Sequence, residues 1–299
     1  MAKFIERTRK GETAVYRHPL LVRASHWINA LCLLILLLSG LQILNAHPAF
    51  YWGQTSTFAR PAAAIESVQA DDGTLRGRLT VAGLTVDTTG VLGASKSGGD
   101  QLQERAFPSW MTLPGSLDLG AGRRWHFAFA WILVLNGLAY LIYAFASRRV
   151  GRVLWPTLAE LRGIGRSLVD HLRLRFAHGE DARDYNVLQK LSYVAVIFGL
   201  LPLMLATGLV MSPAMDARLP LLGDLLGGRQ SARTLHFLSA FGLTSFFLVH
   251  VAMVVAAGPV NEMRSILTGW FVIRRDLDET RIDADGTPPP EDSIEEARP

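Results

Sequence analysis

The sequence has a single cysteine and lacks the motif for covalent attachment of haem. Cys32 lies within a long apolar run, so no disulfide can form within the chain. No Cys-x-x-Cys-His segment is present, which excludes covalent c-type haem. Four long apolar runs contain no Asp or Glu, and the third contains no histidine either. The absence of carboxylates from these runs argues against proton transport by buried acids.

Long apolar runs are the dominant feature that is present. Of the 299 residues, 49% are hydrophobic, and crossing a hydrocarbon core of ~30 Å takes ~20 apolar residues. Four runs reach that length: Ala24–Leu44, Trp125–Ala146, Leu188–Met211 and Ala232–Ala257. The first is longer than the apolar part of a signal peptide, so we interpret it as a retained anchor. The sequence therefore predicts an all-α integral membrane protein, a bundle of four transmembrane helices.

The charged residues predict the topology of that bundle. The formal net charge is +4, but the basic residues flank the apolar runs, which indicates membrane topology rather than nucleic-acid binding. Residues 1–23 and 148–186 are basic, so we expect both termini on the cytoplasmic side of the membrane. The expected location is a bacterial inner membrane. The segment at 156–176 is amphipathic and is expected to lie along the membrane surface.

Two segments differ in composition from the membrane runs. Residues 45–122 form a long polar loop, which this topology makes periplasmic, with a β-hairpin predicted within residues 73–91. A loop of this length usually has a function, and docking a partner is the obvious one. We expect residues 1–271 to form the membrane domain with this loop inserted, and residues 272–299 to form a disordered acidic cytoplasmic tail.

Histidines occur at matched depths in three of the apolar runs. His236 and His250 are 14 residues apart in the fourth run, which is roughly 21 Å along a helix and nearly four whole turns, so they share a face. His26 lies near the cytoplasmic end of the first run, and His126 near the outer end of the second. Two levels with two imidazoles each predict bis-His coordination of two b-type haems. Two alternatives remain: proton handling, or interfacial histidines bonded to neighbouring helices. His18 is an alternative ligand to His26, although the proline after it disfavours helix there.

Arginines and glycines near these histidines fit the same hypothesis. Arg123, Arg124 and Arg233 can bind haem propionates, or they can snorkel to the membrane interface. Gly40 lies on the face of His26 at the level of the outer haem, and Gly137 approaches the inner one. A missing side chain lets a helix pack against a flat porphyrin, but small residues also promote ordinary helix packing in membranes.

Together these residues resemble a known family. The matching pieces are RxxHWxNA from Arg23, RRWHF at 123–127, YNxxQKxxY at 185–193, the His236 and His250 pair, and NEMRSILTGW from Asn261. They cover about residues 17–45 and 123–271, and they resemble the four-helix di-haem cytochromes b of the bacterial b561 type. That group includes membrane subunits of nickel–iron hydrogenases, formate dehydrogenase and thiosulfate reductase.

The resemblance implies roles for individual residues. It pairs His26 with His250 and His126 with His236, and it adds Arg23 to the cofactor-binding residues. It also places a quinone beside the cytoplasmic haem, near residues that match the family's YNxxQK segment: Asn186, Gln189 and Lys190. Lys190 can instead serve a haem propionate.

The resemblance also implies a partner. The stretch AFPSWMTLPGSLDLGAGRRWHF at 106–127 is similar to cytochromes b that accompany a periplasmic molybdopterin oxidoreductase of the sulfite-oxidase type. The long loop at 45–122 departs from the best-known members, which leaves the identity of the partner open. We expect electron transfer between the quinone pool and a periplasmic redox protein. The alternative is a stand-alone quinone oxidoreductase that uses a small molecule such as superoxide or ascorbate.

Overall fold

Four long apolar helical segments dominate the structure. The computed structural model describes residues 6–9, 12–96, 99, 101–173 and 185–274. Within these residues, four segments are long and apolar enough to cross a membrane: Leu20–Leu44, Leu119–Ala146, Val187–Met211 and Arg229–Ala257. Their most apolar windows have mean hydropathies of 1.9 to 2.4. These segments, called the first to fourth spans below, confirm the four predicted helices and begin earlier than predicted.

The helices follow in chain order as α1 (Leu20–Leu44), α2 (Leu119–Ala146), α3 (Leu158–Arg162), α4 (Ile164–Leu172), α5 (Val187–Ala195), α6 (Leu201–Met211), α7 (Pro213–Asp216), α8 (Pro220–Leu225), α9 (Arg229–Ala257) and α10 (Pro259–Thr268). The third span consists of α5, a π-helical turn at Val196–Leu200, and α6. Pro202 has no N–H to donate and crowds the preceding turn, so the wider turn before it keeps the span continuous.

The described residues also contain strands, so the all-α prediction was too narrow. They are β1 (Glu6–Arg9), β2 (Glu12–Tyr16), β3 (Ala49–Phe50), β4 (Ala63–Gln69), β5 (Leu75–Val81), β6 (Leu84–Asp87), β7 (Ala94–Lys96), β8 (Leu102–Glu104) and β9 (Trp270–Arg274). They form antiparallel sheets in the orders β1-β2-β9 and β3-β4-β5-β6, and a β7-β8 hairpin.

The chain divides into two compact units, and each takes part of every span. The first comprises residues 1–26, 140–195 and 246–299. In this unit β2 pairs with β9, and Val15, Phe271 and Ile273 form a small buried cluster. Gly269 ends α10 with a φ of 92°, and a Cβ there would lie 2.5 Å from the Tyr16 ring, so only glycine fits.

Pairing of β9 corrects the predicted start of the disordered tail. The boundary at residue 272 falls inside this strand, which pairs with β2 and whose Val272 amide and carbonyl bond the Asn261 side chain. The predicted tail from residue 275 onward lies outside the described residues. In the same unit, α3 and α4 cover the predicted amphipathic segment as far as it is described.

The second unit comprises residues 27–139 and 196–245. Residues 45–118, called the β insert below, fold around a cluster in which Leu41 of α1 packs against Ile65, Ala106 and Phe107. The predicted hairpin is present as β5 and β6, but as half of a four-stranded sheet. The predicted loop is therefore a folded β structure, and it ends earlier than residue 122 because α2 begins at Leu119.

The β insert is joined directly to the fourth span. The Thr234 hydroxyl donates to the Tyr51 carbonyl at 2.7 Å, and the Gly53 amide donates to the Ser231 hydroxyl at 2.8 Å. Both hydroxyl residues lie within two turns of His236 on α9. The insert is consequently anchored beside His236 rather than tethered only by its ends.

Candidate functional site

His126 of the second span faces His236 of the fourth span within the second unit. Their ring centres are 6.2 Å apart, and the ring planes are inclined by 57°. Each histidine lies in the second turn of its helix, so helical geometry fixes the depth at which each imidazole projects. The structure therefore brings together the two histidines predicted to lie at the outer level, His126 and His236, which are called the outer pair below.

His26 of the first span faces His250 of the fourth span within the first unit. Their ring centres are 6.3 Å apart and their planes are inclined by 56°, nearly the same arrangement as in the outer pair. The Phe246 ring stacks against His250 at 5.8 Å, with 18° between the planes. Packing against this aromatic ring restricts the rotation of the imidazole.

The spacing in both pairs matches two imidazoles bound to opposite sides of one metal. A metal–imidazole bond is about 2 Å long, and the ring nitrogen lies about 1 Å from the ring centre, so the two centres should be about 6 Å apart. Among the described residues, no group of three or more His, Cys, Asp or Glu could hold a bare metal ion. A porphyrin needs only two axial protein ligands, so the residues present fit haem.

Glycines leave room beside the outer pair. A Cβ on Gly40 would lie 3.3 Å from His126 Cε1, and a Cβ on Gly208 would lie 3.5 Å from His236 Cε1. The predicted position of Gly40 at the outer level is thus observed. A Cβ on Gly137 would meet no described atom within 4 Å, so the structure gives that glycine no close contact.

Comparison with known proteins identifies the family. The family model described as prokaryotic cytochrome b561 matches residues 17–269. The chain belongs to this family. It is also similar to the "putative protein-methionine-sulfoxide reductase subunit YedZ1" of Azospira oryzae, with 29% identity over 237 residues, which cover 79% of this chain and 89% of the relative. No solved structure matches the chain. Membership and the four apolar spans make this chain a multi-pass membrane protein with haem b as its cofactor.

The arginines predicted to bind propionates in this b561-family chain lie in different settings. Arg23 donates through Nη1 to the Leu267 carbonyl in the last turn of α10, and Arg233 donates to the His47 carbonyl. Arg123 and Arg124 are exposed, and the Arg123 guanidinium lies 5.7 Å from the Phe127 ring centre. Arg23 and Arg233 therefore hold backbone segments in place, whereas Arg123 and Arg124 form no comparable bond to a backbone carbonyl within the part of the chain that the structure describes.

The three candidate quinone residues already have partners in the protein. Asn186 caps α5. Its side-chain Oδ1 accepts from the Leu188 backbone amide at 3.0 Å, and the Asn186 backbone amide donates to Gln189 Oε1 at 3.1 Å. This is a reciprocal capping box, which explains the Asn and Gln spacing by helix capping alone. The Ser167 hydroxyl also donates to Asn186 Oδ1 at 2.6 Å.

Lys190 is buried and forms an ion pair, with its Nζ 2.7 Å from Glu160 Oε1. Burial opposes ionisation of Glu160, but hydrogen bonds from Lys190 and Thr157 outweigh it and lower the pKa of the carboxyl. The sequence motif gave no sign of this partner, because Glu160 lies 30 residues away on α3.

His18 and His47 lie outside the spans. His18 precedes α1 and is only 7% exposed, with its ring 6.4 Å from Tyr185. Since His26 is the residue that faces His250, the structure does not support His18 as its replacement. His47 follows α1 and stacks on Tyr51 at 5.7 Å, and burial followed by the Arg233 charge lowers the His47 pKa.

The sequence analysis missed two residues beside the outer pair. Ser39 of the first span and Thr207 of the third span each place a hydroxyl within hydrogen-bond distance of one imidazole. The available signal was the occurrence of Ser-Gly and Thr-Gly pairs inside otherwise apolar runs. These side chains are taken up again below.

Proposed function

We propose that this chain is a di-haem b membrane subunit that transfers electrons between the membrane quinone pool and a redox partner on the periplasmic side of a bacterial inner membrane. The observation that carries the proposal is the presence of two histidine pairs with ring centres 6.2 and 6.3 Å apart. His126 and His236 would bind one haem, and His26 and His250 the other. Haem b, when bound, supplies reversible one-electron chemistry at its iron.

Two histidines per haem favour electron transfer over substrate chemistry. Two imidazoles bound to each haem iron would leave no iron position for a substrate or for oxygen. The spans around the pairs carry apolar side chains and no acidic ones, which keeps water and protons away from the pairs. Both histidine pairs share the fourth span, where a spacing of 14 residues, roughly 21 Å of helix, suits relay between the two levels.

The β insert supports a protein partner on the outer side. It is a folded unit anchored beside His236, and it exposes large aromatic side chains, with Trp52 56%, Phe58 74% and Trp110 76% exposed. Exposed aromatic side chains are typical of protein interfaces. Trp110 lies in the stretch that resembles cytochromes paired with molybdopterin oxidoreductases, and the Azospira oryzae relative is named as a reductase subunit. We therefore assign the partner to that class.

The inner side of the proposal involves the quinone. Basic residues in 1–23 and 148–186 support a cytoplasmic location for this side by the positive-inside rule. Asn186, Gln189 and Lys190 stay the candidate quinone contacts. Their hydrogen bonds set the direction of the two amide groups, and the Lys190–Glu160 pair holds an exchangeable proton near the capped end of α5.

The test is a haem count on the purified protein and on five variants. Reduced-minus-oxidised spectra and pyridine haemochromes should give two b haems per chain. His26→Ala and His250→Ala should lose one haem, His126→Ala and His236→Ala the other, and His47→Ala, outside the spans, should keep both. Full haem retention in all four span variants would overturn the proposal.

A second measurement separates a partnered subunit from a stand-alone enzyme. The tagged chain is purified from its own membranes with and without Trp110→Ala, and associated redox proteins are identified by mass spectrometry. The proposal is supported if a molybdopterin oxidoreductase co-purifies with the wild type and less of it co-purifies with Trp110→Ala. Quinone reduction by the isolated chain with superoxide or ascorbate as the donor would favour the alternative.

A further inference from the structure

Two buried hydroxyl groups contact the outer histidines from two different helices. Ser39 Oγ lies 3.1 Å from His126 Nδ1, and Thr207 Oγ1 lies 2.9 Å from His236 Nδ1. Both residues are fully buried, at 0% exposure. Thr207 belongs to the third span, which supplies no histidine of its own. This span therefore contributes to the outer pair through a hydrogen bond.

The direction of these hydrogen bonds follows from the other contacts of each hydroxyl. Ser39 donates to the Ile35 carbonyl at 2.6 Å, and Thr207 donates to the Leu203 carbonyl at 2.7 Å. A hydroxyl has one hydrogen, so an oxygen that donates it to a carbonyl can only accept from the imidazole. Nδ1 of each imidazole consequently carries the proton, and Nε2 keeps a lone pair for a metal.

The residue after each hydroxyl completes the same arrangement on both helices. Gly40 and Gly208 bring their backbones close to the Cε1 atoms of His126 and His236, at the distances given above. The hydroxyl and the glycine after it therefore both contact the same imidazole ring, once on each helix. The arrangement occurs twice, on the first and third spans, although the flanking sequences differ.

We propose that Ser39 and Thr207 are positioning residues that set the tautomer and orientation of the two outer ligands and lower the reduction potential of the outer haem. This inference rests on the proposed function, because it requires His126 and His236 to bind the iron. A hydrogen bond from Nδ1–H makes the imidazole a stronger electron donor, which stabilises the oxidised iron relative to the reduced iron.

The test is a potentiometric titration of both haems in Ser39→Ala and Thr207→Val. Thr207→Val keeps the shape of the side chain and removes only the hydroxyl. At a fixed solution potential, loss of one such bond should raise the ratio of reduced to oxidised outer haem about fivefold. For a one-electron couple this corresponds to a rise of about 40 mV in the reduction potential of that haem. The double variant should shift the potential about twice as far. The inner haem is the internal reference and should not move.

Three variants serve as controls. Ser39→Thr and Thr207→Ser keep a hydroxyl and should restore a potential close to that of the wild type. Thr244 of the fourth span also donates its hydroxyl to a carbonyl of its own helix, that of Ala240. Thr244→Val therefore reports the effect of removing a partly buried intrahelical hydroxyl as such and should leave the outer potential unchanged.

Each outcome has a defined meaning. Selective loss of the outer haem in Ser39→Ala or Thr207→Val, reversed in the hydroxyl-bearing variants, supports ligand positioning. If one substitution prevents folding, the other tests the inference from a different helix. An unchanged or lowered outer potential with the haem retained would overturn it. Absence of haem from the wild type, or retention of the outer haem in His126→Ala, would instead overturn the proposed function.

Discussion

Acidification should destabilise the first unit through His18. This imidazole is 7% exposed, and no described group forms a hydrogen bond with its Nδ1. Burial, followed by the charges of nearby cationic groups, lowers the pKa of His18 to about 3. In order of their effect, largest first, these groups are Arg17, Arg149, His26 and Arg23. Arg17 directly precedes His18, Arg149 follows α2, and His26 and Arg23 belong to α1.

The sign and size of the effect follow from the difference between the folded and unfolded states. The unfolded chain takes up a proton on this histidine near its ordinary pKa of 6.5, whereas the folded chain resists protonation down to about 3. Stability is therefore lost as the pH falls through 6.5 and continues to fall until about pH 3. At about pH 5 the loss should reach ~2 kcal/mol, because one pKa unit corresponds to about 1.4 kcal/mol.

The assay is the apparent unfolding midpoint of the detergent-purified protein between about pH 7 and pH 5, compared with His18→Gln. The variant has no titratable group at this position. Between about pH 7 and pH 5 its free energy of unfolding should therefore fall by ~2 kcal/mol less than that of the wild type. His178→Gln, at a histidine of the basic segment 148–186, is the control and should follow the wild type. An equal decline in His18→Gln and wild type would refute the reasoning.

Two further substitutions test other parts of the structure. Arg105 is 3% exposed and donates to the Phe107 and Gly115 carbonyls and to the Thr112 hydroxyl, all within the β insert. Arg105→Ala should destabilise the insert by ~2–4 kcal/mol, seen as faster limited proteolysis with an unchanged haem content, and equal proteolysis rates would contradict this role. Gly40→Leu should displace the His126 ring and remove one haem, whereas Gly40→Ala, which needs a shift of only tenths of an ångström, should retain most of it. A haemochrome with two haems in Gly40→Leu would contradict the close contact.

The sequence by itself determined the four spans and the faces and depths of their histidines. Both depend on local quantities, the length of an apolar run and the helical period of 3.6 residues, which act before any tertiary contact forms. The same reasoning placed Gly40 at the level of His126, where the structure has it. The sequence also indicated the β5-β6 hairpin, since strand alternation around a short turn is likewise local.

Only the tertiary structure decided what pairs with these elements. β2 bonds to β9 although more than 250 residues separate Tyr16 from Trp270, and no local pattern predicts such a partner. Lys190 pairs with Glu160, and Arg233 binds the His47 carbonyl, two contacts that the sequence motifs do not predict. The hydroxyls of Ser39 and Thr207 reach the imidazoles only because helices distant in sequence pack together. A hydrogen bond depends on separations of about 3 Å between such residues, and packing, not sequence spacing, sets those separations.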